Sequence, residues 1–166
     1  MAGNRRIKPK GKHVSFHVVT RTTHRDFLLN DHMKAFFVQK LQELKKLFFV
    51  EIGAFTSLSN HTHLLIRFEH PDKVDADSAI YRWNRYHPKT YQKSRLSETH
   101  RGYVRGELTD VSFFMKKLNT LMTREYNRRT GSKGTLWERR FRSTVVERGR
   151  AMLMAGAYIE LNSFRA

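Results

Sequence analysis

The sequence contains no cysteine, and that absence removes two classes of small-protein architecture. Neither a disulfide framework nor a zinc–thiolate site can be built, which fits a reducing interior. Long apolar runs are missing too. No stretch approaches the roughly 18 apolar residues that a membrane span needs. The basic start, MAGNRRIKPKGKH, is not followed by an apolar segment and so does not read as a secretory signal. There is no Gly-rich phosphate loop ending in Lys-Ser/Thr, no internal repeat and no low-complexity linker. What remains is the expectation of one soluble, intracellular domain over residues 1–166, long enough to bury a core without staples.

Acidic residues are scarce. Lys and Arg total 32 against 15 Asp and Glu, a formal charge of +17 and a pI near 10.6. Such an excess repels itself in the folded state and attracts polyanions. The cations are spread over the chain in clusters at Arg5 to Lys12, Arg82 to Arg105, Arg124 to Lys133 and Arg139 to Arg150. Several alternate with aromatics, as in Tyr81-Arg82-Trp83 and Trp137 to Phe141. Cations that neutralise phosphates, mixed with rings that stack on unpaired bases, suit single-stranded nucleic acid. Candidate contacts are Arg5, Arg6, Lys8, Lys10, Arg128, Arg129, Trp137, Arg140 and Arg142. A merely solvated basic face is the alternative, and charge alone says nothing about catalysis.

Residues 13–21 are β-branched and aromatic and predict a strand. Asp31 can cap a helix over 32–47, where Met33, Phe36, Phe37, Leu41, Leu44 and Leu47 keep helical spacing. Strands follow at 48–57 and 61–68, joined by a short Ser-Asn turn as an antiparallel hairpin. Residues 70–108 read as an irregular surface insertion with one short helix near 77–86. Asp110 opens a helix of about twenty residues that stops before Gly131. A strand at 139–147 and a helix at 149–162 complete the chain. Strand, helix, strand, strand, helix, strand is an α+β, ferredoxin-like split βαβ order around an antiparallel sheet, with one helix added at the end.

Two segments carry chemistry. In Asn60-His61-Thr62-His63-Leu64-Leu65-Ile66, strand geometry puts His61 and His63 on one face. Leu64, Ile66 and Phe68 then pack under the helices, and the imidazoles are expected on the opposite, open face. Two imidazoles on a rigid strand can form half of a metal site, although a bare His-x-His also arises incidentally among nine histidines. On the last helix, Tyr158 and Asn162 stand four apart and share a face. A tyrosine hydroxyl can act as a nucleophile and an asparagine carbonyl as a hard ligand. An ordinary amphipathic helix with a packed tyrosine explains that pair equally well.

Taken together, four blocks resemble the HUH single-tyrosine transposases, most closely the REP-associated tyrosine transposase branch. They are His13 to Arg21, Ser59 to Ile66, Met122 to Val146, and Tyr158 to Ala166. The third holds Tyr126-Asn127-Arg128-Arg129-Thr130-Gly131 and Gly134-Thr135-Leu136-Trp137-Glu138. The match spans nearly the whole chain except 70–108. It departs in two places: Thr62 stands where a bulky apolar residue is usual, and Ser163 where proline is common. Insertion-sequence relatives carry Gln at the position of Asn162.

The resemblance implies that His61, His63 and Asn162 hold Mg²⁺ or Mn²⁺ and that Tyr158 attacks a single-stranded DNA phosphate, giving a 5′-phosphotyrosine link. It implies single-stranded or hairpin DNA as partner, no membrane, a monomer or homodimer, and a prokaryotic, cytoplasmic, nucleoid-associated setting. Tyr126 is the competing nucleophile. Two other readings stay open. One is a non-catalytic ferredoxin-like nucleic-acid binder derived from a transposase. The other is a metal-independent phosphoesterase with paired histidine motifs, for which His13-Val14-Ser15 offers a poor second half.

Overall fold

The alternating burial of Val14–Arg21 sets the frame: Phe16, Val18 and Thr20 point into the core, while Ser15, His17 and Val19 line the other face. This strand, β1, belongs to a computed structural model that describes residues 14–86 and 97–162. A single 3₁₀ turn, Thr23–Arg25, leads to helix α1, Asp31–Leu47. Its cap is Asn30, whose side chain accepts from the Met33 amide. Asp31, expected as the cap, is instead the first helical residue and adds a favourable carboxylate there.

Strands β2, Val50–Ser57, and β3, His61–Phe68, form the expected hairpin. The four strands, closed by β4, Arg142–Val146, lie in the order β2-β3-β1-β4, every pair antiparallel. That is the ferredoxin-like order anticipated from the element sequence. A register shift between Ile52 and Ala54 turns the end of β2 over. Ile52 pairs with Ile66 on the core side, whereas Ala54 pairs with Leu65 on the other side. The extra residue at the shift is Gly53, as bulges often require.

The 70–108 segment differs from expectation. Helix α2, Ala76–Tyr86, lies where a short helix was predicted, but a second helix, α3, Glu98–Leu108, follows it. Trp83 of α2 and Val104 and Leu108 of α3 are buried in the main core. Trp83 stacks on Phe113 at 5.9 Å between ring centroids. Gly102 and Gly106 made the stretch read as irregular, since glycine weakens a helix. The pair Val104 and Leu108, one helical turn apart, anchors it nonetheless.

Helix α4, Val111–Thr130, begins where Asp110 accepts from the Ser112 and Phe113 amides. It ends at Gly131, whose φ of 71° is the left-handed cap that favours glycine. Phe114, Met115, Leu118 and Met122 pack with the α1 side chains over Phe16, Leu64, Ile66 and Phe68. β4 starts at Arg142 rather than 139 because 136–138 pair separately with the end of β1. Thr23 donates to the Leu136 carbonyl and Glu138 to that of Arg21. The last helix, α5, Arg150–Asn162, lies across the opposite face of the sheet on β2, β3 and β4. The histidine face is therefore covered, not open as expected. No helix among the described residues is long and apolar enough to cross a membrane.

Candidate active site

Directly opposed residues of antiparallel strands share a face, so the register alone assembles a polar row under α5. Arg21 stands opposite His61, and Val19 stands opposite His63 on one side and Arg142 on the other. His17 lies opposite Leu65 and Thr144, one step down the same face.

The His61 and His63 rings sit edge to face, 5.0 Å between centroids. His61 Nδ1 lies 2.6 Å from Asn60 Oδ1. His63 Nδ1 lies 2.9 Å from His17 Nε2, and those two rings stack at 5.2 Å. Burial disfavours charge on all three imidazoles. It lowers the pKa of His17, and with the Arg21 charge that of His61. His63 is only 5% exposed, and burial, followed by the charges of His61, His17 and Arg21, brings its pKa down to about 4. At neutral pH it is a neutral imidazole, the form that ligates a cation.

Helix α5 is held to this face by Ile159, fully buried against Ala54 and Leu65. Next to that anchor stands Tyr158, 49% exposed. Its ring centroid is 5.9 Å from that of His63 and 6.0 Å from that of His17, edge-on to both. Asn162 lies one turn further, and its Nδ2 is buried without a hydrogen-bond partner. Among the described residues, no group of three or more His, Cys, Asp or Glu is arranged to hold a metal ion. A cation here would need a third protein ligand of another type, and Asn162 could supply one only through its amide oxygen, because the unpaired Nδ2 is a donor. Two neutral imidazoles and an amide form a donor set that a divalent ion can accept.

The expected DNA contacts divide. Arg5, Arg6, Lys8 and Lys10 lie outside the described residues. Arg129, Arg140 and Arg142 are exposed, Arg142 on the face of the histidines. Arg128 is also at the surface, with its guanidinium bridged to Glu125 at 2.8 and 2.9 Å. Trp137 corrects its expectation: it is 7% exposed, and its indole donates to the Asn119 carbonyl at 3.1 Å. Its ring is part of the core and not a platform for a base. Tyr126, the competing nucleophile, packs against the main core from α4, the far side of the sheet from His63.

Sequence reasoning passed over His17, Arg21 and Asn60. The signal for the first two was present, since Ser15, His17, Val19 and Arg21 alternate with the core residues of β1.

Residues 10–120 match the profile of a family described as IS200-like transposases. No curated protein matches the chain. Among solved structures, a REP-associated tyrosine transposase bound to a REP hairpin superposes with a TM-score of 0.61 at 17% identity, covering 99% of this chain and 74% of the other. A candidate transposase from Deinococcus radiodurans R1 superposes at 0.49 with 15% identity, covering 95% and 96%. At those identities the first likeness concerns the fold alone, and the second is too distant to support an argument.

Proposed function

The chain belongs to the IS200-like transposase family, and on that footing we propose that it cleaves and rejoins single-stranded DNA at hairpin-flanked sites with Tyr158 as nucleophile. The observation that carries this reading is the convergence of Tyr158, from the last helix, on His63 and His17 of the central strands. His61, His63 and Asn162 would hold the divalent cation. When bound, Mg²⁺ or Mn²⁺ supplies positive charge to the non-bridging oxygens of the scissile phosphate and to the departing 3′ oxygen.

The protein's own groups account for the rest. The Tyr158 hydroxyl attacks phosphorus, the Tyr–O–P bond forms, and the bond from phosphorus to the 3′ oxygen breaks. The phenol proton leaves to solvent, to which Tyr158 is half open, and the 3′ oxygen takes up a proton. One phosphodiester replaces another, so rejoining is the same step reversed. Arg21 and Arg142, at the ends of the polar row, present charge to the incoming phosphates. The rigid sheet and the packed Ile159 place the nucleophile, which is a large share of such a rate enhancement. The hairpin held by the structural relative motivates hairpin-flanked single strands as substrate, and the +17 charge supports it. Because α5 lies on its own chain's sheet, we read the site as completed in cis. Mixing Tyr158→Phe with His61→Ala chains should therefore recover no cleavage.

The test is incubation of hairpin-flanked single-stranded DNA with protein and Mn²⁺, followed by a denaturing gel. Wild type should give a covalent protein–DNA band, Tyr158→Phe none, and Tyr126→Phe the wild-type band. Hairpin binding without any adduct in wild type would leave a non-catalytic binder as the function.

A further inference from the structure

We infer that Asn60 and His17 are positioning residues that hold His61 and His63 with their protons on Nδ1, turning both Nε2 lone pairs toward a shared ligand. The first half follows from hydrogen-bond chemistry. Asn60 Nδ2 donates to the Arg25 carbonyl at 3.1 Å, which settles the orientation of its amide. The oxygen therefore faces His61 Nδ1 at 2.6 Å. An amide oxygen can only accept, so the proton is on His61 Nδ1 and the lone pair on Nε2.

Asn60 is itself held on both sides. The Thr22 amide donates to its carbonyl at 2.9 Å. The Arg25 carbonyl is aimed by two consecutive left-handed residues, His24 at φ 50° and Arg25 at φ 62°. Neither is glycine, and L residues avoid that conformation. Such strain persists only where surrounding contacts impose it, and it gathers at functional sites. Here the turn delivers one carbonyl to the amide that orients His61.

The second half uses His17. Its Nε2 is 2.9 Å from His63 Nδ1, and the rings are within 19° of parallel. One of the two nitrogens carries the proton. If both histidines are to offer Nε2 to one cation, His63 donates and His17 accepts. His17 then acts through His63 and is not itself a ligand. This direction rests on the metal-holding reading above, whereas the His61 assignment does not. Partners of this kind fix the tautomer and ring orientation of ligating histidines, and their loss costs about 10- to 100-fold in metal affinity.

Nitrogen-15 NMR of the imidazoles in the metal-free, full-length protein at neutral pH reads the tautomers directly. The expected result is a protonated Nδ1 and a bare Nε2 on both His61 and His63. Titration with Mn²⁺, followed by electron paramagnetic resonance, should show about 10- to 100-fold weaker binding in Asn60→Ala and His17→Phe. Asn60→Asp keeps the acceptor and should recover most of the loss. A proton on Nε2 of either His61 or His63 in wild type overturns the inference. So does a Mn²⁺ affinity that changes less than about twofold in both variants. Wild type with the stated tautomers but no Mn²⁺ affinity supports the positioning of the rings and sinks the metal reading of the site alone.

Discussion

One face of the sheet carries Phe16, Val18, Leu64, Ile66 and Phe68 beneath α1 and α4, with α2 and α3 closing the periphery. The other carries Ser15, His17, His61 and His63 beneath α5, the one helix on that side among the described residues, secured by Ala54, Leu65 and Ile159. The first face gains its energy from non-directional burial. The second gives up apolar contact for a row of neutral imidazoles, and its covering helix leaves Leu153, Met154 and Leu161 exposed. Stability is thus concentrated on one side and the candidate site on the other. The helix that carries Tyr158 sits on the weakly anchored side, where local opening is least costly.

The sharpest way to break that contrast is to damage each side in turn. Phe114 is fully buried between Phe48 and Phe68, at 5.2 and 5.8 Å. Phe114→Ala should cost about 3–5 kcal/mol and lower the urea midpoint of the whole chain as one transition. Ile159→Ala should cost about 2 kcal/mol, the low end for such a truncation because its buried cluster with Ala54 and Leu65 is small. Hydrogen exchange should then quicken in α5 while α1 and α4 keep their protection. Equal loosening of α4 and α5 in Ile159→Ala would mean that the two faces open as one unit.

Acid separates the faces as well. His63 has its pKa lowered from 6.5 to about 4, chiefly by burial. The unfolded chain therefore takes up that proton first, and the stability present above pH 6.5 is lost as pH falls from 6.5 toward 4. Glu125, on the other side, is lowered from 4.5 to about 2 by hydrogen bonds from Arg128 and then His32. Its contribution is complete above pH 4.5 and is lost between 4.5 and 2. Thermal melts across pH should show His63→Gln flattening the upper window and Glu125→Gln the lower one. Were His63→Gln to leave the slope between pH 6.5 and 4 unchanged, His63 would not be held neutral by the fold.

The smallest effect expected is a gain. A methyl group added at Gly156 would meet only Leu65 Cδ2, at an ordinary 3.8 Å. Gly156→Ala should therefore raise stability by up to about 1 kcal/mol through helix propensity and slow exchange in α5 without touching α4. A lower melting temperature would show that α5 needs the close approach of its backbone to β3.

Much of this arrangement could be read beforehand where a local period carried it. The apolar spacing of α1, the Asp110 and Gly131 ends of α4, and the β2–β3 hairpin all follow from residues near one another in the chain. Reading failed where the deciding partner was distant. Trp137 among arginines looked like a stacking platform, and the Asn119 carbonyl that claims its indole is on another element. Helix α3 was hidden by Gly102 and Gly106, because two buried anchors outweigh two glycines only once a core exists to receive them. The bulge at Gly53 is invisible to strict alternation, since it is the phase itself that slips.

By itself the sequence determined which side chains share a face. Strand geometry joins His61 with His63, and helical geometry joins Tyr158 with Asn162, because both periods are properties of the local backbone. Only the tertiary structure decided that α5 lies over the histidine face, that His17 reaches His63 and that Asn60 is held by a left-handed turn. Those contacts bring together groups from separate elements. Their geometry is set by how the sheet, the bulge and the buried Ile159 pack together, which no local pattern encodes.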